Sequence, residues 1–253
     1  MNSMTVEFVG ELLGTCILIL LGNGVVANVV LNKTKGNDSG WIVITLGWGM
    51  AVFVGVITAM QFSPAHLNPA VTLGFAMAGT FAWGKVLPFV IAQMLGASLG
   101  ACLIWLVYRQ HYAITEDADA KLATFCTGPA IRSKADNFIS EVIGTFVLVF
   151  GVLYILAPEI SAAGLSEANL GLGALGALPV ALIVFSIGMS LGGTTGYAIN
   201  PARDLAPRIM HAILPIANKR DSDWSYSWIP IAGPIAGGAL AAIAHHLLQP
   251  LLS

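Results

Sequence analysis

"AHLNPAVTLG" at residues 65–74 and "YAINPARDLA" at 197–206 share the tripeptide Asn-Pro-Ala, 132 positions apart, and only the second copy is followed by an arginine, Arg203. Proline has no amide hydrogen and disfavours helical geometry in the residue before it. Asparagine is a strong helix N-cap, and proline suits the first helical position. Asn68-Pro69-Ala70 and Asn200-Pro201-Ala202 therefore read as two helix starts. Each lies inside an uncharged run too long for a single helix.

Composition says what kind of run this is. The chain has 253 residues, 57% hydrophobic and 9% charged, with mean hydropathy +0.82. Soluble domains carry about 25% charged residues, so this chain cannot clothe itself in a hydrated surface and reads as an integral membrane protein. A net charge of −2 offers no basic patch for nucleic acid. Cys16, Cys102 and Cys126 have no metal or redox spacing, and the first two sit in apolar runs as packing residues. His111, His211, His245 and His246 lack acidic or cysteine neighbours at ligand spacing, so neither a metal nor another cofactor is expected. The first apolar stretch is longer than a signal-peptide core and ends in no small-residue cleavage site, so it is expected to remain.

A helix crossing about 30 Å of hydrocarbon needs roughly 20 residues. The uncharged runs 12–32, 86–108, 142–158 (extendable back past Glu141) and 224–253 each fit one span. The runs 39–84 and 168–202, which carry the Asn-Pro pairs, each fit one span followed by a re-entrant loop and a short half-helix. Irregular backbone at that depth survives only when packed in protein or lining a watery path. The expected fold is all-α: six transmembrane helices plus two re-entrant half-helices.

The halves repeat. "FVGELLGT" (8–15) resembles "FISEVIGT" (138–145), placing Glu11 on Glu141 at an offset of 130, close to the offset of the Asn-Pro-Ala pair. Three spans per unit is an odd number, so the second unit lies inverted, with the pore or binding site at the interface near mid-membrane. One domain, 1–253, is thus expected to comprise halves of about 1–110 and 138–253 joined by the charged loop 111–137. Gly10/Gly14, Gly96/Gly100, Gly192/Gly196 and Gly233/Gly237 have the spacing that lets helices approach closely.

Inversion turns the two half-helix N-termini toward each other. Each carries about half a positive charge and unpaired N–H groups. Asn68 and Asn200 can cap their own helices and still aim an amide N–H at the pore. Such a site repels cations and hydrated protons while offering donors to a neutral hydroxyl.

The doubled motif, the paired glutamates and the repeat resemble the aquaporin superfamily over nearly the whole chain, and "NPARD" resembles its glycerol-conducting branch. The resemblance implies a selectivity filter of Trp48 on the second span, Gly188 on the fifth, Tyr197 (usually phenylalanine in that branch) and Arg203. It implies that only one mouth needs this ring, which accounts for the lone arginine. Glu11 and Glu141 would brace the re-entrant loops, His66 would line the inner channel or hold its loop, and Asp204 would mark the glycerol branch. Trp48 and Tyr197 offer apolar faces to the CH edge of a polyol, while the Arg203 guanidinium offers a fixed fork of donors to its hydroxyl edge. The Tyr197 hydroxyl is expected to add polarity and narrow the opening.

The implied function is passive diffusion of glycerol and other small uncharged solutes, with some water, across the plasma membrane. No enzymatic step, cofactor or nucleic-acid partner is expected, and the resemblance implies a homotetramer with both termini cytoplasmic. That orientation puts Lys33, Lys35, the central loop and Lys219-Arg220 outside, against the loop-charge rule; the resemblance takes precedence because Arg203 and its ring belong at the outer mouth. The alternatives are a water-selective channel and a proton-coupled transporter using Glu11 or Glu141.

Overall fold

The computed structural model describes residues 3–156 and 171–251, so the inner ends of runs 142–158 and 168–202 and the last residues of 224–253 lie outside the described residues. The elements are helices α1 (Ser3–Val30), α2 (Trp41–Ala59), α3 (Pro69–Met77), α4 (Val86–Val107), α5 (Arg109–Ile114), α6 (Ala118–Ala123), α7 (Lys134–Leu153), α8 (Leu178–Ser190), α9 (Pro201–Ile213) and α10 (Ile229–Leu248). Short 3-10 turns extend α4 and α8 at their starts and α10 at its end. Among the described residues no strand occurs, and six helical segments are long and apolar enough to cross a membrane. The protein is a multi-pass membrane protein.

Charge gaps located the spans but started two of them late. Helix α7 begins at Lys134, ahead of the run 142–158. The run 12–32 starts after Glu11, yet α1 begins at Ser3 and carries both Glu7 and Glu11. Neither charge faces lipid: Glu7 pairs with Lys85 at 2.7 Å, and Glu11 is fully buried. A charge within a span is tolerated when something inside the protein receives it.

The two halves pack alike. α4 crosses α1 at Gly96 and Gly100, where a Cβ would come within 2.2 Å of the Leu12 carbonyl oxygen and 2.6 Å of that of Cys16. α10 crosses α7 at Gly233 and Gly237, where it would meet the Glu141 Cβ at 2.7 Å and the Val142 carbonyl oxygen at 2.3 Å. Backbone contact this tight is the main source of helix association in lipid, which supplies no hydrophobic drive between helices. Outward-facing leucines and isoleucines, such as Leu87, Leu95 and Leu106 on α4 and Ile139 and Ile143 on α7, remain exposed as a hydrocarbon-facing surface. Gly192 and Gly196 do not join two helices. They lie past the end of α8, Gly196 with φ +80°, and shape the second re-entrant loop.

The central segment 109–133 is more than a tether. α5 and α6 fold within it, and Asp117 caps α6 by accepting from the Asp119 and Ala120 amides at 2.8 and 3.0 Å. Its fastenings reach three other places. The Asn32 amide donates to Thr115 Oγ1 (3.0 Å), Lys121 Nζ to the Ala217 carbonyl (2.6 Å), and the Ala130 amide to the Thr194 carbonyl (3.0 Å).

Candidate functional site: the paired half-helices

The half-helices α3 and α9 begin as the sequence dictates. Asn68 Oδ1 accepts from the Ala70 amide at 2.8 Å, and Asn200 Oδ1 accepts from the Ala202 and Arg203 amides at 3.0 and 3.2 Å. Each proline takes the first helical position. The amide nitrogens then cross over. Asn68 Nδ2 donates to the Ile199 carbonyl at 2.8 Å, and Asn200 Nδ2 donates to the Leu67 carbonyl at 2.9 Å. The two helix starts therefore meet tip to tip. An amide nitrogen has two protons, so each asparagine keeps one donor beyond this crossed pair.

The loops that bring the tips together hold four residues in the left-handed region: Ala65 (φ 54°), Leu67 (51°), Tyr197 (40°) and Ile199 (43°). Such backbone costs about 1–3 kcal/mol per residue and persists only where the surroundings impose it. Two carboxylates impose it. Glu11 Oε1 accepts from Ser63 Oγ (2.8 Å) and the His66 amide (2.9 Å), while Oε2 accepts from the Leu67 amide and Gln93 Nε2, both at 2.8 Å. Glu141 Oε1 accepts from Thr195 Oγ1 (2.7 Å) and the Ala198 amide (3.0 Å), while Oε2 accepts from the Ile199 amide (2.8 Å). Ser63, His66 and Leu67 correspond to Thr195, Ala198 and Ile199 at the same offset as the two asparagines. The internal repeat is thus a repeat of hydrogen bonds.

A cavity of about 250 Å³ passes both asparagines. Its lining includes the loop residues 64–68 and 197–200 with Arg203, alongside the apolar side chains of Val52, Val56, Val71, Phe75, Leu148, Val152, Val180 and Val184. Trp48, Tyr197 and Arg203 border the cavity together. The Arg203 guanidinium carbon lies 4.2 Å from the centre of the Trp48 ring, and Nη1 donates to the Phe125 carbonyl at 3.4 Å. A guanidinium has five donors, so most of them are left for whatever enters. His66 lines the cavity as well, with Nδ1 at 3.1 Å from Thr72 Oγ1 and its ring held among Phe75, Phe81 and Phe89.

Gly188 does not line the cavity. It stands behind Tyr197, where an added Cβ would lie 2.8 Å from the ring carbon Cζ, so its missing side chain makes room for the aromatic ring. The Tyr197 hydroxyl is buried in the wall, with no hydrogen-bond partner among the described residues. Trp41 steadies this arrangement, donating from Nε1 to the Gly188 carbonyl (3.1 Å) and packing edge-on against Tyr197 (5.9 Å).

Asp204 is fully buried and does not line the cavity. Its Oδ2 accepts from both the amide and hydroxyl of Thr127 at 2.7 Å. Arg208, one turn on and also fully buried, pairs with Asp204 at 2.8 Å and donates to the carbonyls of Thr127 (2.8 Å), Ser222 (2.7 Å) and Asp223 (3.2 Å). This ion pair ties α9 to the central segment and to the loop before α10. Sequence reasoning passed over Arg208, although an arginine four residues after an aspartate on a membrane-depth helix is a recognisable pairing signal. No sequence signal marks the Phe125 carbonyl, because any residue there would supply one.

Residues 2–245 match the sequence profile of the major intrinsic protein family. The chain belongs to that family. Within it, the chain is 56% identical to a glycerol uptake facilitator protein of Streptococcus pneumoniae, over 95% of this chain and 98% of the relative. It is equally similar, over the same shares, to a probable glycerol uptake facilitator protein of Thermotoga maritima. Among solved structures it resembles the aquaglyceroporin from Plasmodium falciparum, with a TM-score of 0.83, 30% identity and 98% of each chain covered. Among the described residues, no group of three or more His, Cys, Asp or Glu side chains is arranged to hold a metal.

Proposed function

We propose that this chain is a passive channel for glycerol and other small uncharged solutes, with some water, that turns away ions and protons. The observation that carries the reading is the meeting of two capped half-helix N-termini at one cavity of mixed polar and apolar lining, beside a guanidinium stacked on an indole. The half-helix ends place positive partial charge where a cation would have to pass. A polyol laid along the cavity puts its CH edge against the valines and its hydroxyls against the loops, the asparagines and Arg203. Trp48, Tyr197 and Arg203 form the selectivity constriction, with Gly188 as the space behind Tyr197. Asn68-Pro69-Ala70 and Asn200-Pro201-Ala202 form the central one. High identity to proteins named for glycerol uptake supports this choice of solute.

A proton-coupled mechanism would need Glu11 or Glu141 to face the path. Both carboxylates instead point into their loops with four and three donors respectively, and neither lines the cavity. Nothing in the reading requires a covalent step, so the protein acts as a conduit and not as an enzyme. Both termini lie in the cytoplasm in this reading, with Arg203 toward the outer mouth, and four copies assemble in the plasma membrane with one pore each.

Swelling of proteoliposomes in a glycerol gradient tests the proposal. Glycerol entry accelerates over empty vesicles and is insensitive to collapse of a pH gradient; no acceleration refutes it. Water flux on the same vesicles separates a polyol channel from a water-selective one.

A further inference from the structure

One buried polar side chain, Asn23, stands outside the cavity lining. Asn23 lies in the middle of α1, within "LGNG" at 21–24, and is fully buried. Its Nδ2 donates to the Phe125 carbonyl at 3.3 Å, while Oδ1 has no partner among the described residues. A half-paired amide in a membrane interior is a poor packing element, and a leucine of similar size would serve the core better. Departures of this kind from local packing preference concentrate at functional sites. The single bond Asn23 makes goes to the same carbonyl that accepts from Arg203 Nη1. The residue before it serves the other half of the same pair. A Cβ on Gly22 would lie 2.3 Å from Trp48 Cζ3, so the bare backbone of α1 is the seat of the indole.

We propose that Asn23 is a positioning residue for solute selection: by pinning the Phe125 carbonyl it holds the Arg203 guanidinium over Trp48. The proposal rests on the channel reading above. Phe125 is anchored downstream through Thr127 and Asp204, and its ring packs between Tyr112 and His211. The Cys126 amide of the same peptide donates to the Leu122 carbonyl at 3.1 Å. The Phe125 carbonyl itself accepts from two side chains among the described residues, Asn23 Nδ2 and Arg203 Nη1, of which Asn23 is the one outside the cavity lining. Without that donor, carbonyl and guanidinium move together, and the fork that meets a polyol's hydroxyls loses its fixed angle. Water needs no such alignment.

The test is the glycerol-to-water flux ratio of vesicles carrying wild type, Asn23→Leu and Asn23→Ser, each also combined with Arg203→Ala. The ratio is independent of how much protein is inserted. Asn23→Leu lowers it by about threefold, the effect of losing one weak neutral hydrogen bond. Asn23→Ser, which keeps a hydroxyl donor, falls between Leu and wild type. In the Arg203→Ala background both changes leave the ratio within about 1.5-fold, because coupled residues do not add. An unchanged ratio in Asn23→Leu, or equal shifts in both backgrounds, overturns the proposal. So does failure of both variants to insert, which would make Asn23 a folding residue. A wild type that passes no glycerol refutes the channel reading instead.

Discussion

Glu141→Gln changes one atom and strikes the brace of the second re-entrant loop. The carboxylate accepts three hydrogen bonds, two on Oε1 and one on Oε2. A glutamine that keeps its oxygen toward Thr195 and Ala198 turns an N–H₂ toward the Ile199 amide. One charge-assisted bond is lost, about 1.5–3 kcal/mol, and a buried donor is left facing another donor, about 1–3 kcal/mol more. Ile199 is β-branched and left-handed, so its backbone has reason to leave that conformation once released. The Ile199 carbonyl is also the acceptor for Asn68, and the damage therefore crosses to the first half. The expected outcome is a destabilisation of about 3–5 kcal/mol and a fall in glycerol flux per inserted protein of about tenfold or more. Thermal unfolding in detergent and stopped-flow swelling read the two effects separately. A variant with wild-type melting and wild-type flux would refute the bracing role of the glutamates.

Tyr197→Phe leaves the glycerol-to-water flux ratio within about 1.5-fold of wild type, because the hydroxyl is in the wall; removing an unpaired buried hydroxyl also leaves stability unchanged or raises it by up to about 1 kcal/mol. Gly188→Ala places a methyl against the Tyr197 ring and displaces it into the cavity, so glycerol flux falls about tenfold and water flux falls less in paired swelling assays. In the loop before α10, burial raises the Asp223 carboxyl, but the hydrogen bond and charge of Arg132 at 2.5 Å, with help from Ser225 and Arg208, outweigh it and hold the group below its ordinary range. Such a group stabilises the fold fully above about pH 4 and loses that contribution as pH falls through its folded value. Melting of wild type between about pH 6 and 3 should therefore decline more steeply than melting of Asp223→Asn, and parallel curves would count against the pairing.

The elements most legible in the sequence were those whose cause is local. Asn-Pro caps a helix whatever surrounds it, and both half-helices start where the dipeptides stand. Glu11 and Glu141 were legible as a pair because duplication printed them twice. Long-range pairing hid the rest. Glu11 read as the edge of a span because its donors lie some 55 positions away at His66 and Leu67. The fit of Gly188 against Tyr197 was hidden because sequence gives a depth in the membrane but not which residue stands in front of another. Asn23 and Phe125 are 102 positions apart and meet at a backbone atom, for which no side-chain pattern exists.

The crossed bonds from Asn68 to Ile199 and from Asn200 to Leu67 make each half incomplete without the other. Each half supplies the acceptor that completes the other, so the waist is a mutual clasp that opens only if both sides let go together. A half-length fragment would arrive at the bilayer with its clasp unfastened.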